Sequence, residues 1–328
     1  MRGENLERSE ASLFLNALLD PDATDSQIAA ALVALAIKGE TVDELTGMAQ
    51  AMRARAVHLK SNHACFIDTA GTGSSRAKTF NVSTAAAFVI AGAGLAVAKH
   101  GSRAATSRSG SADVLTALGV GVTAAPEISE ACLNELGICF MFAPLYHGAT
   151  ARVAGIRKQL GVHTTFNLLG PLTNPAHAPR QIIGVWHPAL VEPLARVLVE
   201  LGSEHAWVVH GADGLDEVTI ADKTMVAEAK DGRVRLFEIG PSDFGLELSA
   251  IDHMCGGDAE ANAATIRAVL DGTRRDAARS LIVVNAASAL LIGDKAENLN
   301  DAARLAEETI DSGAALAKLE ALKTACPS

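Results

Sequence analysis

The feature that most limits what this chain can fold into is a change of texture near residue 65. Before it no strand pattern occurs. After it, short runs rich in β-branched and aliphatic residues alternate with Gly/Ser turns and Ala-rich stretches. Residues 65–69, 95–99, 138–142, 182–186, 205–210 and 280–284 read as strands. Residues 84–93, 112–118, 128–136, 149–160 and 188–201 read as helices between or beside them. Strands that alternate with helices build βαβ units, so the fold class is α/β, with a central, mostly parallel sheet flanked by helices. Aromatic residues are 4% of the chain while apolar residues are 49%, so the core is made of small and aliphatic side chains that let helices sit close on a buried sheet. Residues 219–238 have hairpin character with Asp231-Gly232 as the turn. The end of the chain reads as helices at 258–270, 285–291, 300–311 and 312–324.

The segment before the change of texture is helical throughout. Residues 11–19 carry apolar side chains at helical spacing, and Asp25 or Thr24 is placed to cap a second helix that stops at Gly39. Thr41 and Glu44 form a capping box, in which hydroxyl and carboxylate each satisfy a free N–H at a helix start that runs on to about residue 58. The expected organisation is a small helical domain over 1–63, joined in space by helices from the middle of the chain, and an α/β domain over 64–328. The length of 328 residues fits two domains at roughly 150 residues each.

Composition narrows the partners. The formal charge is −10, from 38 acidic and 28 basic residues, which disfavours nucleic acid and anionic membranes. Residues 85–98 form the longest small-apolar run, Gly-interrupted and short of the roughly 20 residues of a membrane span, and read as a buried helix running into a strand. The opening MRGENLERSE has no apolar stretch, so no signal peptide is expected. Cysteines number five, an odd count, with no C-x-x-C, which argues against a disulfide framework or structural zinc and for a reducing cytoplasm.

Four stretches carry chemistry. In Asp68-Thr69-Ala70-Gly71-Thr72-Gly73-Ser74-Ser75-Arg76 and the following Lys78 to Thr84, a strand enters a Gly/Ser/Thr loop and then a helix, which aims N–H groups and hydroxyls at one place, as phosphate binding needs. It is neither a Walker A loop nor a G-x-G-x-x-G fingerprint, and an ordinary strand–helix turn is the plain alternative. From Lys99 to Ser111, the cations Lys99, Arg103 and Arg108 fall among hydroxyls at another strand end; Ser109 or Ser111 is a natural N-cap, which leaves the three cations unexplained. Two cationic, hydroxyl-rich strand ends suit a multiply charged diphosphate. Asp213, Asp216 and Glu217 follow an apolar strand, where a Mg²⁺ anchor competes with a solvated acidic turn. Finally, Phe142 to His147 precede a helix carrying Arg152, Arg157 and Lys158, then a run from Gly170 to Pro175 that reads as a rigid loop. Arg157 is suited to a two-pronged contact with a carboxylate, or is a helix-surface charge.

Together the stretches AGTG, TFNVSTAAAF, VAKHGSRAATSRSGSADVLTALG, FAPLYH, IRKQLGVHTTFNLLGPLTNPA and HGADGLDEVT, with GGDAEANAATIRAVL near the end, resemble the anthranilate phosphoribosyltransferases. The resemblance implies a helical domain and an α/β domain paired into a homodimer. It also implies a pentosyltransferase using Mg²⁺, with 5-phosphoribosyl diphosphate (PRPP) and anthranilate as substrates in tryptophan biosynthesis. Carried over by position, Gly71, Ser74, Ser75, Thr79, Asn81, Val82, Ser83 and Thr84 hold PRPP from the first loop. Lys99, His100, Gly101, Ser102, Arg103, Ala104, Ala105, Thr106, Ser107 and Ser111 surround its phosphates and ribose. Gly71, Ser102, His147, Arg157, Gly170 and Pro171 are placed around anthranilate. Of two Mg²⁺ ions per monomer, Ser83 ligates one and Asp216 with Glu217 the other. Catalysis is expected to be electrostatic, through Lys99 and Arg103, with no acid–base residue singled out. Two departures stand out: the family commonly reads GTGGD where this chain has Ser74 and Ser75, with Arg76 and Lys78 adding charge, and KHGNR where it has Ser102. The alternatives are a pyrimidine nucleoside phosphorylase-like enzyme and a paralogue with a changed acceptor or a nucleic-acid-binding role.

Overall fold

The computed structural model describes residues 3–73, 79–104, 108–250, 254 and 256–327. Capping signals set the first three helices. Helix α1 spans Arg8–Leu18. Helix α2 (Asp25–Lys38) uses Thr24 as its cap, with the Gln27 side chain returning to the Thr24 N–H. Helix α3 (Val42–Ala54) opens on the Thr41–Glu44 box as read from sequence but ends short of residue 58. It stops because the chain crosses over: the N–H groups of Val57 and Leu59 donate to the carbonyls of Tyr146 and Pro175. Glu44 is fully buried and accepts from the Leu6 N–H, the Thr41 N–H and the Lys38 ammonium, tying the N-terminal stretch of chain to α2 and α3.

The alternating region follows in order as β1 (Phe66–Asp68), α4 (Val82–Gly92), β2 (Ala96–Gly101), α5 (Ser111–Ala117), α6 (Pro126–Ala131), β3 (Ile138–Phe142), α7 (Ala143–Tyr146), α8 (Ala151–Leu160), α9 (Thr165–Leu172), β4 (Arg180–Gly184), α10 (Val191–Glu200) and β5 (His205–Gly211). The hairpin β6 (Thr224–Lys230) and β7 (Arg233–Ile239) comes next, then α11 (Ala259–Leu270), α12 (Ala277–Ile292), α13 (Leu299–Asp311) and α14 (Ala314–Ala325). The described residues form one 7-stranded sheet in the order β3-β2-β1-β4-β5-β6-β7. Strands β1 to β5 run parallel to one another, β6 is antiparallel to β5, and β7 is antiparallel to β6. At the hairpin turn both Asp231 and Gly232 have positive φ (50 and 72°), the conformation that makes a two-residue turn match strand twist.

Alternation along the strands divides the core. In β4, Ile182 faces a core built on α4, α11, α12, α13 and α14, while Ile183 faces a second core shared with α1, α2, α3, α8, α9 and α10. The mid-chain helices α8 and α9 pack on α2 and α3.

Three readings are corrected. Residues 280–284 are not a strand, and 285–291 not a separate helix: both lie in α12, capped by Asp276. A run buried on every side has no periodicity to separate helix from strand. Helix α5 is capped at Gly110, not Ser109 or Ser111, because Gly110 lies against the neighbouring loop; a Cβ there would come within 2.5 Å of the Ala104 nitrogen. Gly170 to Leu172, read as loop, form the last turn of α9, with Pro171 inside it.

Candidate active site

From β1 the chain proceeds outward to β2 and β3, then returns to place β4 on the other side of β1. Such a reversal leaves a crevice at the carboxyl ends of the two strands. Close backbone contact shapes it. The Thr72 N–H and hydroxyl both donate to the Gly184 carbonyl, at 2.9 and 3.0 Å. A Cβ on Gly71 would come 3.0 Å from that carbonyl oxygen, and one on Gly184 only 1.6 Å from the Asp216 carbonyl oxygen. The loops after β1, β4 and β5 are thereby drawn into one wall.

The crevice opens into a cavity of about 430 Å³. Every described residue assigned above to substrate or metal lines it: Gly71, Thr79, Asn81, Val82, Ser83 and Thr84 from one side. Lys99, His100, Gly101, Ser102, Arg103, Ala104 and Ser111 come from the β2 end, His147, Arg157, Gly170 and Pro171 from the far wall, and Asp216 with Glu217 from the loop after β5. Two other candidates are engaged elsewhere: Arg152 pairs with Asp25 of α2, and Asp213 accepts from the Thr219 hydroxyl. Ser74, Ser75, Arg76, Lys78, Ala105, Thr106 and Ser107 lie outside the described residues.

At the centre is Lys99, 4% exposed, whose ammonium donates to the Thr69 carbonyl and hydroxyl (3.2 and 3.1 Å) and to Ser83 Oγ (3.4 Å). The Ser83 N–H in turn donates to Glu217 Oε1 at 3.3 Å. Burial and the nearby Asp216 charge push the Glu217 carboxyl up to about 8, against the pull of Lys99. Burial lowers Lys99, opposed by Asp68 and Glu217. Behind it Asp68 accepts from the His100 N–H, the Ala70 N–H and Asn174 Nδ2, and is raised to about 6 by burial, opposed chiefly by Lys99.

Two imidazoles stand edge to face, their centroids 5.1 Å apart. His100 Nδ1 meets the Gly170 carbonyl and His147 Nε2 the Thr173 carbonyl. A carbonyl only accepts, so those nitrogens carry the protons. Burial holds His100 down to about 3 and His147 to about 4, so both rings are neutral at pH 7. His100 Nε2 therefore presents a buried lone pair with no partner among the described residues. Arg157 donates to Asn167 Oδ1 (3.0 Å), lies over the Phe166 ring and leaves Nε without a partner among the described residues. Thr84 Oγ1, also buried in this site, likewise has no partner among the described residues. Arg103 is 54% exposed and paired with Asp113.

A more open crevice of about 700 Å³ lies at the opposite end of β5, beside His205, Glu228, Lys230 and Lys295. Its lining mixes charges of both signs, and its Glu228 is already engaged by His205, Trp207 and Arg235.

Known proteins share this architecture along the whole chain. The helical bundle domain of the glycosyl transferase family matches residues 1–56, and its a/b domain residues 63–316. An anthranilate phosphoribosyltransferase of Moorella thermoacetica is 51% identical over 98% of this chain and 94% of its own. The crystal structure of the Thermus thermophilus anthranilate phosphoribosyltransferase superposes with a TM-score of 0.92 at 38% identity, covering 98% of this chain and 96% of that one. The chain belongs to the anthranilate phosphoribosyltransferase family. A further member, from Saccharomyces cerevisiae in complex with PRPP and Mg, has a TM-score of 0.87 at 28% identity, over 97% of this chain and 92% of that one.

In this phosphoribosyltransferase the donors available to a Mg²⁺ ion are the Ser83 hydroxyl and the carboxylates of Asp216 and Glu217, all hard oxygens. No group of three or more His, Cys, Asp or Glu side chains among the described residues forms a closed cage. An open set of two carboxylates fits an ion that keeps positions for water and substrate phosphate. Sequence reading missed the outer supports of the site. Asn262 Nδ2 reaches Asn81 Oδ1 at 3.1 Å from α11, and Asn174 joins Asp68 to the Ala98 carbonyl. Both asparagines sit inside the quoted family stretches, but only the fold reveals what they touch.

Proposed function

We propose that PRPP binds between the loops after β1 and β2, with anthranilate beside Arg157. The chain then transfers the phosphoribosyl group to the anthranilate amine and releases diphosphate, in tryptophan biosynthesis. The observation that carries this reading is the meeting of Lys99, Ser83 and Glu217 within 3.4 Å contacts at the head of α4. Three segments there combine a cation, a hydroxyl and a carboxylate at the N-terminal end of a helix, where the macrodipole favours negative charge.

The amine is a neutral nucleophile, so no strong base is required. The difficult event is departure of diphosphate from the anomeric carbon, through a transition state with oxocarbenium character. Lys99, held on two sides by Thr69 and by Ser83, is oriented before substrate arrives, which is how fixed charges stabilise developing negative charge. Arg157 is held by Asn167 and faces the cavity, where it would take the anthranilate carboxylate and hold the amine in line. His100 Nε2 offers a hydrogen-bond acceptor to substrate. Two Mg²⁺ ions, one at Ser83 and one at Asp216 with Glu217, would neutralise charge on the phosphate oxygens when bound.

Leu13 and Ile37 stand 70 and 82% exposed on α1 and α2, which supports a homodimer through the helical unit of residues 1–63. No helix among the described residues is long and apolar enough to cross a membrane, and the −10 charge fits small-molecule partners in the cytoplasm. The test is anthranilate fluorescence followed with PRPP and Mg²⁺. Decay that needs both additions is expected; unchanged fluorescence, or phosphorolysis of thymidine or uridine instead, would overturn the reading.

A further inference from the structure

Asp113 stands in the first turn of α5, its side chain 22% exposed, and is not among the residues lining the cavity. Its carboxylate nevertheless collects three donors from residues that do line it. Oδ2 accepts the Ala104 N–H and the Gly110 N–H, both at 2.9 Å, and Oδ1 accepts Arg103 Nη1 at 2.9 Å. These are the two ends of the loop that leaves β2 and re-enters the fold at α5. The ends are pressed together: a Cβ on Gly110 would come 2.6 Å from the Ser102 carbonyl oxygen, and that oxygen accepts from the Ala112 N–H at 3.2 Å.

A helix cap needs only the Gly110 N–H. The Ala104 N–H and the Arg103 guanidinium lie outside α5 and have no part in capping it. A carboxylate this near a polyanion site also opposes ligand charge unless its own is spent, and here both oxygens are engaged within the loop. We propose that Asp113 is a positioning residue for PRPP, clamping both ends of the loop after β2 and setting the direction of Arg103 without touching substrate. The inference rests on PRPP occupying this cleft. The same carboxylate holds the Arg103 guanidinium beside the Phe142 ring, 5.9 Å from its centroid, so the cation faces the cleft from a fixed direction.

The experiment compares Asp113→Ala, Asp113→Asn and Ser83→Ala in the full chain by steady-state kinetics for each substrate, with circular dichroism and thermal unfolding as checks of fold. Losing charge-assisted bonds to two backbone donors and Arg103 is expected to raise the PRPP KM about tenfold or more in Asp113→Ala. The anthranilate KM should stay within about twofold, and kcat should fall less than the PRPP KM rises. Asp113→Asn keeps one acceptor oxygen for the backbone pair but turns its amide toward Arg103, so a smaller rise, about threefold, is expected with the fold intact. An unchanged PRPP KM in either folded variant, while Ser83→Ala raises it, would overturn the proposal. So would equal changes in both KM values in both variants, which mark a merely structural role. If Ser83→Ala also leaves the PRPP KM unmoved, it is the placement of PRPP in this cleft that fails. Should Asp113→Ala not fold, the Asp113→Asn result alone decides.

Discussion

The backbone N–H of Ser83 donates to Glu217 Oε1 at 3.3 Å, joining the first turn of α4 to the loop after β5 across 134 residues of sequence. The bond places a carboxylate against a helix N-terminus and beside Lys99, although burial makes its charge costly. In the proposed function a Mg²⁺ ion held by Asp216 and Glu217 would offset that cost. Asp216→Asn combined with Glu217→Gln is therefore expected to lower Mg²⁺-dependent turnover by about two orders of magnitude or more. Titrating Mg²⁺ against anthranilate consumption checks this, and near-normal activity at limiting Mg²⁺ would refute the ligand assignment.

Gly184 makes a sharper structural test. The missing Cβ is what lets β4 close on the Asp216 carbonyl, only 1.6 Å from where that atom would stand. Both partners are backbone, so neither can swing aside. Gly184→Ala should cost about 3 kcal/mol or more in urea unfolding and displace the 211–217 loop. A variant as stable and as active as the parent would show that this close approach is dispensable.

Arg157 is fixed by Asn167 and lies over Phe166 while its Nε lacks a partner among the described residues, which suits a guanidinium that takes a planar anion. Arg157→Ala is expected to raise the anthranilate KM about tenfold or more with a smaller effect on the PRPP KM. Arg157→Lys should recover little, since an ammonium lacks the fork. Equal shifts for both substrates would mark the residue as structural.

What could be read without coordinates was whatever the chain states locally. The Thr41–Glu44 box and the Asp231-Gly232 turn each depend on neighbours in sequence, and both are legible there. The run at 280–284 was not, because a helix buried all round carries no stripe. Gly110 as a cap was hidden for another reason: its need for no side chain comes from Ala104 across the loop. The cavity lining was readable because its residues cluster in motifs at strand ends. Its supports were not, since Asp68, Asn174 and Asn262 gain meaning only from partners far along the chain.

Acid stability follows from the buried imidazoles. Burial lowers the folded-state pKa of His147 from 6.5 to about 4, aided by His58 and opposed by its bond to the Thr173 carbonyl. Once unfolded, the ring takes a proton near pH 6.5, whereas the folded protein refuses it until about pH 4. The unfolded state thus binds more protons across that window, so stability falls as pH drops through it, by up to about 1.4 kcal/mol per pH unit for this one group. His147→Gln keeps a donor for Thr173 and removes the titration. Its urea-unfolding free energy, measured from about pH 7.5 to about pH 4.5, should fall less steeply than the parent's by up to one proton's worth of slope. His100, depressed by burial and next by His147 itself, is coupled to it, so the same comparison is made in a His100→Gln background, where the difference reports His147 alone. Parallel curves would mean that His147 is protonated in the folded chain as readily as in the unfolded one.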